Sequence, residues 1–573
     1  MGNQGKLNKK YHGGKYINLL VDADRSALLK KISLDLPSIT LDERQLCDFE
    51  LLSTGAFSPL DGFMTRSNYE SVLDRMKLQD GTLWPMPVCL DISEPAARPL
   101  EAGQSVVIRD PEGFLLAIMH VQDIWKPDKQ KEANLLFGTN DRSHPGVDHL
   151  LGSTGDYYIG GPLEVLSLPL HFDFKQLRMT PPEVRGLYNK LGWNRIVGFH
   201  TTNTIHRPEY EMAIRAMKSS RANLLLLPGV AMTGPGDFDY YTRVRCYRHV
   251  VGYFPPESAV MSLLPIFSRM AGPRDALLQC IIGKNYGCTH FIIGHQHADP
   301  IAQNGSNSFY NSEATQAFVQ QFAGEIEIEV VPSDELVYLP FEDQFCPKVD
   351  VSEGTETISL SSLDIRHRIR SGRRIPRWAT FLEVVAELKK AYPPPSKQGF
   401  TVFFTGLSGA GKSTIARVLY AKMLEIGKRP VTLLDGDIVR QNLSNELSFS
   451  KEHRDINVRR IGFVAGEITK NRGVAICAPI APYASTRSEI RTNIEAVGGF
   501  IEVHVATPLT VCEKRDRKGM YAKARAGLIK GYTGIDDPYE EPDAPEVRVD
   551  TTGISPDEAA QEILIYLGQM RFI

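Results

Sequence analysis

Strand-like and helix-like patterns alternate along the last third of the chain. A continuous apolar run at 400–405 is followed by a helical pattern at 414–425, and three more apolar runs follow at 429–434, 474–478 and 500–506. Short apolar strands that alternate with helices are typical of a parallel sheet covered on both faces. We therefore predict a doubly wound α/β domain at 396–573.

A proline-rich segment precedes this domain. Residues 391–399 read Ala-Tyr-Pro-Pro-Pro-Ser-Lys-Gln-Gly. Three prolines cannot continue the helix that the pattern predicts at 380–390, so this segment is predicted to be a stiff linker.

Upstream of the linker, the pattern indicates three zones. Residues 1–170 combine short strands, as at 106–109 and 115–121, with many turns, which predicts a β-rich domain. Residues 171–330 alternate again and predict a second α/β domain, with strands at 195–199, 223–227 and 290–293 and helices at 208–219 and 274–284. Residues 331–395 form a small closing subdomain and the linker. The fold class of the whole chain is α/β.

Composition narrows the function classes. The chain has 573 residues, a net charge of −3 and 42% apolar residues, so we expect a globular protein that binds neither nucleic acid nor a membrane. Eight cysteines without a CxxC pair give no zinc pattern and suit a reducing compartment. The basic segment 1–15 lacks the apolar core of a signal peptide, so we expect a cytoplasmic location.

A phosphate-binding motif follows the first strand of the C-terminal domain. Gly406-Leu-Ser-Gly-Ala-Gly-Lys-Ser-Thr414 matches G-x-x-x-x-G-K-[ST] between a predicted strand and a predicted helix. Lys412 would reach the β and γ phosphates of ATP, and the Ser413 hydroxyl would ligate Mg²⁺; no bound organic cofactor is expected. The alternative is a chance match or a decayed loop. The predicted ATP-binding residues are Gly406, Ser408, Gly409, Ala410, Gly411, Lys412, Ser413 and Thr414.

Further charged and aromatic residues follow the motif and indicate the acceptor. Asp435-Gly-Asp437 ends the next predicted strand, where a carboxylate can take a hydroxyl proton. Each cation or ring is weak evidence alone, since single arginines are commonly surface charges and single rings commonly core. Together they indicate a pocket for a planar base with a doubly anionic tail.

These residues carry a family resemblance. GLSGAGKST, DGD-x-x-R, FS-x-x-x-R-x-x-N-x-x-R, PIAPY, KGMYAKAR and GYTGIDDPYEEP together resemble adenylyl-sulfate kinase over about 397–573. The resemblance implies that Phe449 and Tyr532 sandwich the adenine of adenylyl sulfate and that Asp437 activates its 3′-hydroxyl. It also implies that Ala481, where some relatives carry serine, favours direct transfer of the phosphoryl group from ATP. The implied acceptor-binding residues are Asp437, Arg440, Phe449, Arg454, Asn457, Ile480, Ala481, Lys518, Tyr532 and Thr533.

The first 390 residues resemble ATP sulfurylase. The matching stretches include GAFSPLDGFM at 55–64, TGPGD at 233–237 and RSGRRIPRW at 370–378. The resemblance implies a PUA-like N-terminal domain, a Rossmann-like nucleotidyltransferase domain and assembly as a homo-oligomer, often a hexamer when a kinase-like domain is fused.

The catalytic motifs of that family are altered in this chain. The pattern Q-T-R-N-P-x-H-x-x-H reads HTTNTIHRPE, so the arginine expected to meet sulfate is Thr202 and the second histidine is Glu209. The pattern G-R-D-H-A-G reads GHQHAD at 294–299. Threonine supplies no charged fork for sulfate, so we expect little sulfurylase activity. This degenerate site comprises His200, Thr201, Thr202, Asn203, His206, Glu209, His295 and His297.

Three hypotheses follow from the two resemblances. The first is an adenylyl-sulfate kinase whose silent sulfurylase-like region serves assembly or regulation. The second is a bifunctional enzyme, in which His200, His295 and Arg207 compensate for the lost groups. The third is a nucleotide-sensing domain without kinase turnover.

Overall fold

The structure is a computed structural model that describes residues 10–231, 238–295, 297–300, 309–448, 450–516 and 518–573; for Asp437 it describes the backbone alone. The chain divides into two compact units. The first comprises Met1–Ser362 with Pro376–Val384, and the second comprises Leu363–Ile375 with Val385–Ile573.

The N-terminal part of the first unit is built on a mixed sheet. Its strands are β1 (Ser38–Thr40), β2 (Gly62–Phe63), β3 (Leu90–Ile92), β4 (Ser105–Arg109), β5 (Leu115–His120), β6 (Asp123–Trp125) and β7 (Tyr157–Val165). Strand β7 is the centre of the sheet, since β2, β3, β5 and β6 all pair with it antiparallel. The strands expected at 106–109 and 115–121 are confirmed as β4 and β5.

Helices surround this sheet, although the sequence pattern indicated mainly strands and turns. They are α1 (Ala23–Ile32), α2 (Glu43–Ser53), α3 (Arg66–Arg75), α4 (Glu94–Ala97), α5 (Lys129–Phe137) and α6 (Pro145–Gly152). Their starts are fixed by side-chain caps: Asp42 and Gln45 form a capping box at α2, and Thr65 caps α3. These helices are only 4 to 11 residues long, so each contributes a short stretch of pattern between the strands.

The second part of the first unit is a parallel α/β layer. Its strands are β8 (Ile196–Thr201), β9 (Asn223–Pro228), β10 (Ala259–Met261), β11 (His290–Ile293) and β12 (Glu329–Pro332), in the order β10-β9-β8-β11-β12. Its helices are α7 (Pro181–Leu191), α8 (Arg207–Ser220), α9 (Tyr240–Val251), α10 (Pro273–Asn285), α11 (Ser312–Gln321) and α12 (Ala323–Ile326). The strand order reverses between β8 and β11, so the segments after these two strands lie where such sheets bind ligands.

A small hairpin and two helices follow along the chain. Strands β13 (Leu336–Leu339) and β14 (Gln344–Pro347) pair antiparallel, and α13 (Ser362–Arg370) and α14 (Leu382–Ala391) come next. Helix α14 is the helix expected at 380–390 before the proline-rich segment.

The C-terminal domain is a parallel sheet between helices. Its strands, in the order β16-β17-β15-β18-β19, are β15 (Phe400–Thr405), β16 (Val431–Asp435), β17 (Val474–Ala478), β18 (Gly499–Val505) and β19 (Val547–Val549). Its helices are α15 (Lys412–Ile426), α16 (Gly436–Leu443), α17 (Lys451–Lys470), α18 (Ala484–Glu495), α19 (Leu509–Arg515), α20 (Met520–Arg525) and α21 (Pro556–Gln569). The predicted doubly wound fold is confirmed.

Both faces of this sheet are buried. Phe400, Val402 and Phe404 pack on the side of α15 and α21, whereas Phe403 packs on the side of α17 and α18. This two-sided burial explains why β15 is a continuous apolar run instead of an alternating one. Among the described residues, no helix is long and apolar enough to cross a membrane.

Candidate active site

The phosphate-binding motif forms a tight loop between β15 and α15. Gly406, Gly409 and Gly411 have φ angles of 144°, 75° and 108°, a region that favours glycine. A Cβ on Gly406 would lie 2.6 Å from the carbonyl oxygen of Val505. Helix α15 starts at Lys412, two residues before the predicted start, because the loop ends at Gly411 and not at the first apolar residue of the helix. The loop therefore leads directly into a helix N-terminus, which favours anions.

Lys412 lies inside this loop. Its Nζ donates hydrogen bonds of 2.9 Å to the carbonyl oxygen of Gly406 and 2.7 Å to that of Leu407. Burial lowers the pKa of the ammonium group to about 8. An approaching phosphate would offset this desolvation, so the lysine is ready to hold an anion at the loop.

Side chains from distant segments hold the loop in shape. The Tyr521 hydroxyl donates 2.8 Å to the carbonyl oxygen of Ser408. The hydroxyls of Thr507 and Thr551 donate 3.1 Å and 2.9 Å to the carbonyl oxygen of Ala410. The loop is thus preorganised by its surroundings as well as by its glycines.

The PIAPY segment at 479–483 reaches the loop from the end of β17. The backbone N–H of Gly406 donates 3.3 Å to the carbonyl oxygen of Ile480, and the Thr405 hydroxyl donates 2.8 Å to the same oxygen. Ala481 is buried with a φ of 46°. The structure therefore brings Ile480 and Ala481 beside the phosphate loop.

Helix α17 and the turn at 531–537 form the other side of the site. Arg454 of α17 donates 2.6 Å to the Thr533 hydroxyl and lies 3.1 Å from an Asp537 carboxylate oxygen. Asn457 is buried one turn further along, and its Oδ1 finds no hydrogen-bond partner in the described part of the chain. A buried acceptor atom without a partner would be stabilised by a hydrogen bond from a bound ligand.

Tyr532 lies beside the anchored loop. Its ring packs edge-on against Tyr521, with 5.1 Å between ring centroids. Burial of the phenol raises the pKa of Tyr532, and the charge of the exposed Lys518 opposes part of this effect. Tyr532, which precedes Thr533 in the turn, therefore packs on the residue that anchors the phosphate loop at Ser408.

The structure leaves three kinase predictions untested. Phe449 lies outside the described residues, and so does the side chain of Asp437, whose backbone is in the first turn of α16. Arg440 is directed to the chain itself, since it donates 3.0 Å and 3.1 Å to the carbonyl oxygens of Leu447 and Ser448. These two bonds connect α16 to the segment before α17, and the acceptor-binding role of Arg440 stays a prediction.

The sulfurylase-like motifs lie at the ends of β8 and β11 in the first unit. His200 donates from Nδ1 to the carbonyl oxygen of Leu227 at 2.8 Å, and burial lowers its pKa to about 4. Burial also lowers the pKa of His206 to about 4 and that of His297 to about 3. His206 Nδ1 lies 2.8 Å from the Thr380 hydroxyl. These three imidazoles are neutral at pH 7.

Glu209, which replaces the second histidine of the family pattern, lies in the first turn of α8. Its carboxylate accepts a 2.9 Å hydrogen bond from the backbone N–H of His206 and so caps α8. Burial raises its pKa. The carboxyl group is therefore engaged with the backbone of its own helix.

The other residues predicted for the sulfurylase-like site do not share common contacts. The carbonyl oxygen of Thr202 accepts a hydrogen bond from Arg243, and the Thr201 hydroxyl bonds to the backbone of Asn203. Arg207 stacks on the Phe381 ring with its guanidinium carbon 4.3 Å from the centroid. His295 is exposed. Residues 233–237 and Gln296 lie outside the described residues.

Comparisons with known proteins agree along the whole chain. The family models match as PUA-like domain at 9–168, ATP-sulfurylase at 175–391 and Adenylylsulphate kinase at 398–550. A sulfate adenylyltransferase of Mycosarcoma maydis is 44% identical, over 97% of this chain and 98% of its own length. A sulfate adenylyltransferase of Emericella nidulans is 45% identical over 97% and 98%.

A solved structure also matches over its full length. The protein titled hexameric APS kinase from Thiobacillus denitrificans is 39% identical, with a TM-score of 0.82 and coverage of 98% of this chain and 99% of that one. The chain belongs to the family of fused ATP-sulfurylase and adenylyl-sulfate kinase proteins.

Membership in this fused family confirms the two resemblances seen in the sequence. It also confirms the PUA-like, sulfurylase and P-loop kinase layout of the fold. Whether the sulfurylase region is degenerate in function stays a prediction. The names of the full-length relatives favour the bifunctional hypothesis over a silent sulfurylase region.

Sequence reasoning missed several residues that build the kinase site. Tyr483 and Asp537 lie in quoted motifs but received no role, and they turn out to contact Arg454. Thr507 and Thr551 gave no signal, since each stands alone at the end of a strand. Their shared contact with Ala410 becomes visible only when β18 and β19 pair beside the loop.

Proposed function

We propose that this chain is an adenylyl-sulfate kinase, which transfers the γ-phosphoryl group of ATP to the 3′-hydroxyl of adenylyl sulfate. The observation that carries the proposal is one edge of the C-terminal sheet. There an anchored phosphate loop with a buried Lys412 packs on the turn that carries Tyr532 and Thr533, and Thr533 bonds to Arg454, one turn before the unpaired Oδ1 of Asn457.

The loop supplies the electrostatic part of the reaction. Its backbone N–H groups and Lys412 would hold the β and γ phosphates, and the N-terminus of α15 adds positive potential. Because phosphoryl transfer depends mainly on position and charge stabilisation, this preorganised cradle is the largest contribution that the protein makes.

The acceptor side orients the hydroxyl. Arg454 is placed to meet an anionic group, Asn457 offers an unpaired acceptor to the base, and Tyr532 offers a ring face. We assign Asp437 as the group that accepts the 3′-hydroxyl proton, because it follows β16 at the edge where the loop lies. Transfer is then direct, since Ala481 offers no hydroxyl.

Magnesium fits the donors at this site. Ser413 follows Lys412 in the first turn of α15, and the buried carboxylate of Asp435 lies at the end of β16, where its charge opposes part of the effect by which burial lowers the pKa of Lys412. Hydroxyl and carboxylate oxygens are the ligands that Mg²⁺ prefers. The ion would neutralise phosphate charge during transfer.

Product analysis tests the proposal. The full chain is incubated with MgATP and adenylyl sulfate, and the nucleotides are separated and identified by mass spectrometry. We expect ADP and 3′-phosphoadenylyl sulfate in equal amounts. Bound ATP without any phosphorylated product would contradict the proposal and support nucleotide sensing instead.

Bifunctional turnover is the second candidate. It is favoured by full-length identity of about 44% to proteins named sulfate adenylyltransferase. The site geometry argues against fast sulfurylase turnover, since His200, His206 and His297 are neutral. Thr202 also offers sulfate no cation. We therefore expect the sulfurylase reaction to be the slower one, because each lost charged donor lowers turnover by about 10²–10³.

An assay for pyrophosphate release from ATP and sulfate tests this second candidate. Turnover that is lost in the His206→Ala variant would establish a working sulfurylase site. Turnover that survives the substitution would assign the signal to a contaminating activity.

Assembly and location are further proposals. We propose a homo-oligomer, because the similar protein of Thiobacillus denitrificans is described as hexameric. The cytoplasmic location stays a prediction from the cysteine usage and the N-terminal segment.

A further inference from the structure

Arg454 is held by an arrangement of side chains that comes from three separate segments. It lies in the first turns of α17, and its partners are Tyr483 of the PIAPY segment and Thr533 and Asp537 of the turn at 531–537. The turn is closed by its own backbone, since the N–H of Gly534 donates 2.7 Å to the carbonyl oxygen of Asp537. The partners of Arg454 are therefore fixed before any ligand arrives.

Each nitrogen at the end of the guanidinium group has a defined partner. One terminal nitrogen donates 2.6 Å to the Thr533 hydroxyl. The other donates 3.2 Å to the Tyr483 hydroxyl and lies 3.1 Å from an Asp537 carboxylate oxygen. A planar group held at both ends cannot rotate freely about its last bonds.

Tyr483 connects the arginine to the carboxylate. Its hydroxyl accepts from Arg454 and lies 3.1 Å and 3.2 Å from the two carboxylate oxygens of Asp537, to which it donates. Burial raises the pKa of Tyr483 to about 12, so the phenol keeps the proton that it donates. Asp537 thus acts on Arg454 directly and through this hydroxyl.

The pair is too buried to be an ordinary surface ion pair. The side chains of Arg454 and Asp537 are 13% and 11% exposed. A second cation is close, because Lys451 Nζ lies 4.8 Å from the centroid of the Tyr483 ring. Without the carboxylate, the largely buried charge of Arg454 would be left near the exposed cation Lys451 without its ion-pair partner, and Arg454 would turn toward water.

The arrangement adjoins the phosphate loop. Leu407 of the loop packs so closely on the turn that a Cβ on Gly534 would lie 2.8 Å from its side chain. Tyr532, which precedes Thr533, packs on Tyr521, the residue that anchors the loop at Ser408. A shift of the turn would therefore be felt at the acceptor side of the site.

We infer that Asp537 is a positioning residue, which with Tyr483 holds the Arg454 guanidinium in the orientation that binds the anionic part of adenylyl sulfate. This inference rests on the proposed kinase function. It separates binding of the acceptor from binding of ATP, since no contact of Asp537 involves the phosphate loop directly in the described residues.

The test compares steady-state kinetics of the wild-type chain with Asp537→Asn, Tyr483→Phe and the conservative Asp537→Glu. Asp543→Asn, an exposed aspartate of the same domain, is the matched control. We expect KM for adenylyl sulfate to rise about 10-fold or more in Asp537→Asn and about threefold in Tyr483→Phe, since hydrogen bonds to charged groups contribute more than neutral ones. KM for MgATP should stay within about twofold of wild type, and Asp537→Glu should recover part of the loss.

The possible outcomes separate the two proposals. If the wild-type chain forms no ADP with adenylyl sulfate, the kinase function itself is wrong. If the wild type is active and Asp537→Asn keeps its KM for adenylyl sulfate, or raises both KM values equally, the positioning role is wrong. Should Asp537→Asn fail to fold, Tyr483→Phe decides, because it removes one hydroxyl and keeps the buried ion pair.

Discussion

The kinase site and the sulfurylase-like site treat charge in opposite ways. The kinase domain contains the cationic residues Lys412 and Arg454, and hydrogen bonds hold both side chains in place. At the ends of β8 and β11, burial lowers the pKa of His200, His206 and His297 far below neutral pH. Both regions have the sheet edge that α/β proteins use for ligands, yet their side chains differ.

This difference teaches that two sheets of similar architecture can surround their candidate sites with very different side chains. His206 keeps the residue type of the family pattern, but its imidazole bonds to Thr380 and is buried. Glu209 replaces a histidine and caps a helix. Adenylyl transfer to sulfate needs positive charge at the reacting groups, so the prediction of a slow sulfurylase reaction depends on these contacts.

The largest expected effect comes from removing the cation of the kinase loop. Lys412→Ala should lower adenylyl-sulfate-dependent ADP formation by about 10²–10³, because one preorganised charged donor to the phosphates is lost. Lys422→Ala is the matched control, since Lys422 lies on the same helix and pairs with Asp557 at the surface. A variant with normal turnover would show that the loop is not the catalytic centre.

The buried histidines predict a difference in acid stability between the two units. Folding lowers the pKa of His200 and of His206 from 6.5 to about 4. Between pH 6.5 and pH 4 the unfolded chain therefore binds more protons than the folded chain, and the folded state loses stability as the pH falls below 6.5. The loss at pH 5 is about 2 kcal/mol per such group.

Among described residues, the first unit holds seven histidines with lowered pKa and the kinase domain holds His504. Calorimetry at pH 7 and pH 5 should therefore show a larger fall in Tm for the transition of the first unit. His206→Gln should reduce proton uptake on unfolding by about one. Equal shifts of both transitions would contradict the neutral state assigned to these residues.

A smaller effect is expected on ATP binding. Lys412 has a pKa of about 8 in the folded chain. As the pH rises, a growing fraction of the protein molecules has a neutral Lys412, which must take up a proton before it can hold phosphate. The Kd for MgATP should increase about eightfold between pH 7.5 and pH 9. Calorimetric titration of the wild type and of Lys412→Arg, which keeps its charge, checks this; equal pH dependence in both would refute the assignment.

The sequence predicted the parts of the kinase site that are contiguous along the chain. The strand, loop and helix at 400–426 follow from an apolar run, glycine spacing and a helical pattern, and they fold as expected apart from the earlier helix start at Lys412. Long-range partners could not be predicted in this way. Asp537 finds Arg454, and Thr551 finds Ala410, only after β15, β18 and β19 pair.

At the sulfurylase-like site, too, residue types could be interpreted from the sequence, whereas side-chain directions and burial could not. Loss of the cation at Thr202 could be inferred from residue type alone, because threonine has no charge. The direction of the Glu209 carboxylate could not, since helix capping depends on where α8 begins. The neutral state of His200 required its burial to be known.

The most direct test of the unequal sites measures both half-reactions on one preparation of the full chain. Adenylyl-sulfate-dependent ADP formation and sulfate-dependent pyrophosphate release are followed separately at pH 7.5 with saturating substrates. We predict that the kinase rate exceeds the sulfurylase rate, because one missing charged donor lowers the turnover of its own site by about 10²–10³. Equal rates, or a faster sulfurylase reaction, would contradict the account.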